Sequence, residues 1–162
     1  MSIALRLWWS ALAVPLASDT PRTMQLPRLF SSPQLWRSLV IVWAAILYWL
    51  SGQSKLPSPG KFEGIDKIEH TLYFAAGGMC FLLGMRLAGF ARKTTVAIVL
   101  TVLFCSIVGV LDEWHQTFTP GRSGGDVWDR IADTIGGFIG AFLALTAERW
   151  LTSTGTTTSA GR

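Results

Sequence analysis

Four apolar runs, each bounded by ionisable residues, decide what this chain can fold into. The first lies within residues 36–52 (SLVIVWAAILYWL), the second within 66–87, the third covers 94–111 and the fourth lies within 126–151. A transmembrane helix needs about 20 mostly apolar residues. The uncharged parts of the second and fourth runs, 71–85 and 134–147, are shorter than that. Both helices must therefore carry their charged feet at or just inside the membrane boundary. Only 15% of the 162 residues are charged, against about 25% in a typical soluble domain. A soluble fold of this length has too little interior to hide so much apolar surface. The expectation is an all-α, polytopic membrane protein: one four-transmembrane-helix bundle spanning 36–151.

The flanks read differently. Residues 1–35 form an N-terminal extension, poorly ordered or interfacial, in which the apolar stretch 7–17 is too short to span. It fits a signal-peptide core, a translation start set too early ahead of Met24, or a surface helix, and a non-essential extension is favoured. Pro21, Pro27 and Pro33 interrupt any helix before the first span. The Thr/Ser/Gly-rich tail 152–162 has the composition of a disordered segment. Cys80 and Cys105 lie in apolar runs and read as buried thiols.

Net charge is +4, but the basic residues sit in short segments between apolar runs. That is a topology signal, not a nucleic-acid face. With four spans, one side carries nine Lys or Arg, among them Arg37, Arg86, Arg92 and Lys93, and the other five. By the positive-inside rule the first side is cytoplasmic. The N- and C-termini are then inside a bacterial inner membrane, and the acidic helix ends face outward.

Those ends carry ionisable groups at helical spacing. Asp66, His70, Tyr73 and Gly77 line one face of the second helix. Asp112 and Gln116 share a face at the end of the third, with Glu113 beside them. Asp126, Asp129 or Arg130, Asp133, Gly136 or Gly137, and Gly140 form a stripe on the fourth, where the GxxxG spacing of Gly136 and Gly140 admits another helix closely. A charge deep in the bilayer costs at least about 2.5–3.5 kcal/mol, so the groups must pair across helices or line a wet cleft. Simpler roles compete. Asp66 with Glu69, and Asp126 with Asp129, have the spacing of helix N-caps with acidic first turns. His70 and Asp133 lie beyond capping positions and suit an interhelical hydrogen-bond network. His115 suits an interfacial side chain, and Trp36, Trp49, Trp114, Trp128 and Trp150 suit an aromatic belt. Arg122, between Pro120-Gly121 and Ser123-Gly124-Gly125, offers a guanidinium fork to a carboxylate or phosphate, or to one of the surrounding acids.

These residues resemble the VanZ family of bacterial membrane proteins. Its D-K-x-x-H element is matched by Asp66-Lys67-Ile68-Glu69-His70, its D-E-x-x-Q element by Asp112-Glu113-Trp114-His115-Gln116, and its F-x-P-G-R turn by Phe118-Thr119-Pro120-Gly121-Arg122. Asp129, Asp133, Gly136 and Gly140 match the opening of its last span, with Asp133 where an Asn is common. The resemblance covers roughly residues 38–150 and leaves out 1–35. The family is named for a protein associated with low-level resistance to teicoplanin, which implies a cell-envelope role.

Three functions compete. One is a binding protein whose outward cleft holds an anionic lipid-linked cell-wall precursor or a glycopeptide antibiotic, with Arg122 and Lys67 on the anion and Gln116 and Tyr73 adding hydrogen bonds. Another is a membrane enzyme using Asp66, His70, Glu113 and Asp129 as acid and base or as ligands of a hard cation. No nucleophile spacing and no HExxH-type motif occurs, so no metal or cofactor is assigned. A proton-linked carrier ranks last, since the charges cluster at one end and only a homodimer could complete a path. The expected partners are membrane lipids. The topology is checked by cysteine labelling in a background whose Cys80 and Cys105 are Ala. Ser123→Cys should react with an impermeant maleimide on intact cells, and Phe90→Cys only after permeabilisation.

Overall fold

The structure, a computed structural model, describes residues 28–54 and 64–153. A single 3-10 turn, Arg28–Ser31, leads into four α-helices: α1 Pro33–Ser51, α2 Ile65–Leu87, α3 Thr94–Gln116 and α4 Val127–Ser153. No strand occurs among the described residues. The expectations for residues 1–27 and 154–162 lie outside them.

Local chemistry explains the helix boundaries. Pro33 sits in the first turn of α1, where a missing N–H costs nothing and φ is already helical. α2 starts after Gly64, whose φ of 87° lies in the left-handed region that glycine tolerates without penalty. α3 runs one turn further than the apolar pattern suggests, so Asp112, Glu113 and Gln116 belong to its last turn and are buried. Acids at a helix C-terminus oppose the macrodipole. Helix stability therefore does not account for Asp112 and Glu113.

Three of the helices, Pro33–Ser51, Thr94–Gln116 and Val127–Arg149 within α4, are long and apolar enough to cross a membrane. Their outward faces carry Ile41, Val42, Leu103, Ile107, Phe138 and Phe142, all exposed, as lipid-facing side chains would be. α2 is as long as α3 but less apolar, because it is the helix the others enclose. Phe74, Ala75, Leu82 and Leu83 are buried, together with Gly77, Gly78 and Gly84.

α2 and α4 make the most extensive contact, and they run parallel. At one end Lys67 meets Asp129 and His70 meets Asp133. At the other, Arg86 Nε lies 3.0 Å from Glu148. Between these clamps small residues bring the backbones together. A Cβ on Gly136 would lie 2.5 Å from the Thr71 carbonyl oxygen, and one on Gly140 would collide with that of Ala75. The GxxxG stripe is therefore filled by α2 of the same chain. α1 packs on α2 through Trp43, whose ring lies over Gly77. Trp43 Nε1 donates to the Tyr73 carbonyl, and Tyr73 Oη donates to that of Trp43, at 3.0 and 2.8 Å. α3 closes the bundle where Cys105 meets Gly78 and Gly137.

Trp49, Trp114 and Trp128 are exposed, as a belt requires, but Trp36 is not: it is buried and donates to the Phe30 carbonyl at 2.9 Å. Its neighbours in α2 and the 3-10 turn, rather than an interface, set its position. The Trp150 side chain lies outside the described set. Cys105 is buried and Cys80 half-buried, both as free thiols.

The α2–α4 contact yields a stability prediction. Gly140→Leu drives a side chain into backbone that cannot yield, and overpacking costs about 1–3 kcal/mol. Thermal unfolding in detergent should show that loss, whereas Phe142→Leu on the exposed face should stay close to wild type.

Candidate functional site

The first turns of α2 and α4, the last turn of α3 and the end of α1 meet at one end of the bundle. Two polar networks form there, and His70 of the first also borders the cleft beside the second.

The first lies between α2 and α4. Lys67 Nζ sits 3.0 Å from Asp66 Oδ2, 2.7 Å from Asp126 Oδ2 and 2.5 Å from Asp129 Oδ1. Three carboxylates thus hold one ammonium. Its bond to Lys67 keeps the Asp126 carboxyl below its ordinary range. The stabilisation this provides is present above the unfolded-state pKa and is lost as pH falls through the depressed one. The capping box expected at Asp66 does not form: the residue before α2 is Gly64, there is no side-chain cap, and Asp66 turns to Lys67 instead. Asp126 does cap α4, its Oδ1 accepting from the Trp128 N–H at 2.7 Å. The reciprocal bond to the Asp126 N–H comes from another helix, through Glu113 Oε2 at 2.7 Å. Glu113 thus plays from α3 the part that the third helical residue plays in a local capping box.

Deeper in, His70 Nδ1 lies 2.8 Å from Asp133 Oδ1, and His70 Nε2 lies 3.9 Å from Asp129 Oδ2. Asp133 fits because residue 109 is glycine: a Cβ there would strike its carboxylate. Asp133 Oδ2 and Glu113 Oε1 are buried without a hydrogen-bond partner among the described residues.

The second network ties α3 to α1 and to the loop before α4. Arg122 Nε and an Nη donate to Gln116 Oε1 at 3.2 and 2.7 Å. Gln116 Nε2 donates to Asp112 Oδ2 at 2.8 Å. The Ser51 hydroxyl donates to Asp112 Oδ1, and the Thr119 hydroxyl to the Ser51 carbonyl at 3.0 Å. Between α1, α2 and this network lies a cleft of about 120 Å³. Leu47, Leu50 and Phe74 form its apolar wall; Ser51, Glu69, His70, Tyr73, Asp112, Gln116 and Arg122 complete its lining.

All ten expected polar residues gather at this end, with different tasks. Asp66, Lys67 and Asp129 form the ion cluster; His70, Glu113 and Asp133 lie beneath it; Asp112, Gln116 and Arg122 make the second network. Tyr73 spends its hydroxyl on the α1 backbone, and Gly136 and Gly140 sit further along as packing residues. Lys67 is already saturated by carboxylates, so its expected role against an anion is not supported by the geometry. Arg122 has a neutral partner, Gln116. His115 takes no part: it stacks on Tyr48, ring centroids 4.3 Å apart. Ser51, Thr119 and Gly109 were not singled out from the sequence. A serine ending an apolar run and a threonine in a turn look like ordinary boundary residues, and Gly109 carries no signal until Asp133 is seen against it.

Apolar helices packed through small residues, with their ionisable groups collected at one end, define an integral membrane protein with a polar site between its helices. The chain belongs to the VanZ/LLP1 family, whose family model matches residues 4–148. That range takes in most of the N-terminal segment left out by the motif resemblance. No curated protein and no solved structure matches it.

The ion cluster makes a checkable demand. Lys67→Met leaves Asp126 and Asp129 facing each other without a cation. Removing one partner of a fully buried pair costs about 3–5 kcal/mol, and exposed pairs contribute less than about 1. For this partly exposed lysine a loss of about 1–3 kcal/mol in detergent-solubilised protein is expected, with Lys67→Arg recovering part of it.

Proposed function

We propose that this protein holds the anionic head of a lipid-tailed ligand in the cleft between α1, α2 and α3, with all four helices crossing the bacterial cytoplasmic membrane and the cleft facing outward. α2 is the span least evident by composition, since its neighbours rather than lipid cover it. A lipid-linked cell-wall precursor and a lipid-bearing glycopeptide antibiotic share the required chemistry: a negative group beside a long apolar tail. On this reading the protein acts in envelope physiology, in line with the resistance phenotype for which the family is named.

The carrying observation is Arg122. It faces the cleft, and among the described residues its only side-chain partner is the amide oxygen of Gln116. A guanidinium held by a neutral acceptor keeps its charge for an incoming anion, which it can grip with two parallel N–H bonds. Leu47, Leu50 and Phe74 supply the adjoining surface for the first part of a tail. Lys67 is not part of this recognition.

A second reading, a membrane enzyme acting on a lipid phosphate, is favoured by one feature: His70, oriented by Asp133, borders the cleft. A histidine so held is equipped for proton transfer.

Binding of a polyprenyl phosphate to the purified protein in nanodiscs separates these ideas from a purely structural site. Wild type should bind the phosphate and discriminate against the uncharged polyprenol. Arg122→Ala should weaken binding about tenfold or more, as expected for a lost charge-assisted contact of about 1.5–3 kcal/mol. Equal affinity in the variant would refute the reading. Phosphate release by wild type but not by His70→Ala would favour the enzyme.

A further inference from the structure

We infer that His70, Glu113 and Asp129 form a binding site for one divalent transition-metal ion of the Mn²⁺ or Zn²⁺ kind, at the junction of α2, α3 and α4. This goes beyond the anion-binding cleft and does not depend on it: of the three side chains, only His70 also borders that cleft.

One potential ligand atom from each of the three residues lies within 4.8 Å of the other two. Bonds to such an ion are about 2.0–2.2 Å long, so the side chains need close on it by only about an ångström. Acids often cluster without a metal, but here a second observation points inward. Glu113 is 2% exposed, and its Oε1 has no hydrogen-bond partner among the described residues. Burying a carboxylate oxygen without a partner is costly, and a cation removes that cost. Its other oxygen is fixed by the Asp126 N–H, which limits how the carboxylate can turn.

The histidine is arranged as metal-bound histidines are. Its Nδ1 is engaged by Asp133, itself fully buried, at 2.8 Å. That contact turns Nε2 toward Asp129, in the carboxylate–histidine–metal order that fixes tautomer and ring orientation. Asp129 gives Oδ1 to Lys67 and keeps Oδ2 on the histidine side. One imidazole and two carboxylates make a mixed nitrogen–oxygen donor set. This suits Mn²⁺ or Zn²⁺ better than Ca²⁺, which takes oxygen ligands in larger number, or Cu⁺, which favours sulfur. Three protein ligands leave coordination positions open for water or a ligand oxygen.

The test uses full-length protein in nanodiscs, treated with chelator and then dialysed against MnCl₂ or ZnCl₂, with CaCl₂ as control. Elemental analysis should find close to one Mn or Zn per chain and no comparable uptake of Ca. Glu113→Gln and His70→Ala should each weaken binding at least tenfold, and Asp133→Asn about 10–100-fold. X-ray absorption fine structure of the loaded wild type should show imidazole scattering, a readout that stands even if a variant misfolds. Arg122→Ala should leave metal binding unchanged, which separates failure here from failure of the cleft. No stoichiometric uptake by wild type, absence of imidazole scattering, or undiminished binding in folded Glu113→Gln would each overturn the assignment.

Discussion

Ionisable groups at a membrane boundary persist only where they are paired or wet, and Lys67 is the residue through which this bundle meets that condition. Its ammonium holds Asp66, Asp126 and Asp129 together, joining the first turn of α2 to the start of α4. Without it, three carboxylates would repel one another where the two helices begin their contact. With it, the parallel contact is clamped at its polar end, as Arg86 and Glu148 clamp it at the other. The glycines between these ion pairs are useful only because the pairs fix the register. A slip by one residue that put Ile135 and Ile139 in place of Gly136 and Gly140 would drive side chains into the Thr71 and Ala75 carbonyls.

The composition of α2 follows from the same arrangement. A helix surrounded by other helices gains little from bulky apolar side chains, which lipid would reward no more than protein. It gains from small residues that allow close approach and from polar groups that find partners across the interface. Gly77 receives the Trp43 ring, Gly78 sits against Gly137 and Cys105, and His70 finds Asp133. The outer helices, α1 and α3, show the opposite: apolar faces of Ile, Val and Leu stay exposed.

Much of this was legible in the chain, for identifiable reasons. Apolar run length and the charged flanks mark the helices to within a few residues, because both follow from bilayer thickness. The 3.6-residue spacing places Asp112 with Gln116, and Asp129 with Asp133, on common faces. Partner choice was not legible. Nothing local says that Lys67 takes three carboxylates and leaves Arg122 to a glutamine, or that Asp126 is capped from α3 by Glu113. Those outcomes depend on which helices are neighbours and at what height. The capping box at Asp66 illustrates the limit: its spacing is right, but Gly64 enters the helix in the left-handed region and a lysine beside the acid offers a stronger bond.

The same reasoning accounts for the acids at the end of α3. Asp112 and Glu113 stand where the macrodipole disfavours negative charge, and both are almost completely buried. Asp112 is compensated: each oxygen accepts a hydrogen bond, from Ser51 and from Gln116. Its placement is explained by the ties it makes between helices. Glu113 is only half compensated, with one oxygen on the Asp126 N–H and the other without a partner among the described residues. Two neighbouring residues on one turn thus meet the same electrostatic penalty, and only one is repaid by the fold. Glutamine at 113 could still accept from the Asp126 N–H through its amide oxygen, at no cost in charge. What the carboxylate adds is negative charge beside His70 and Asp129, which suits the cation site inferred there.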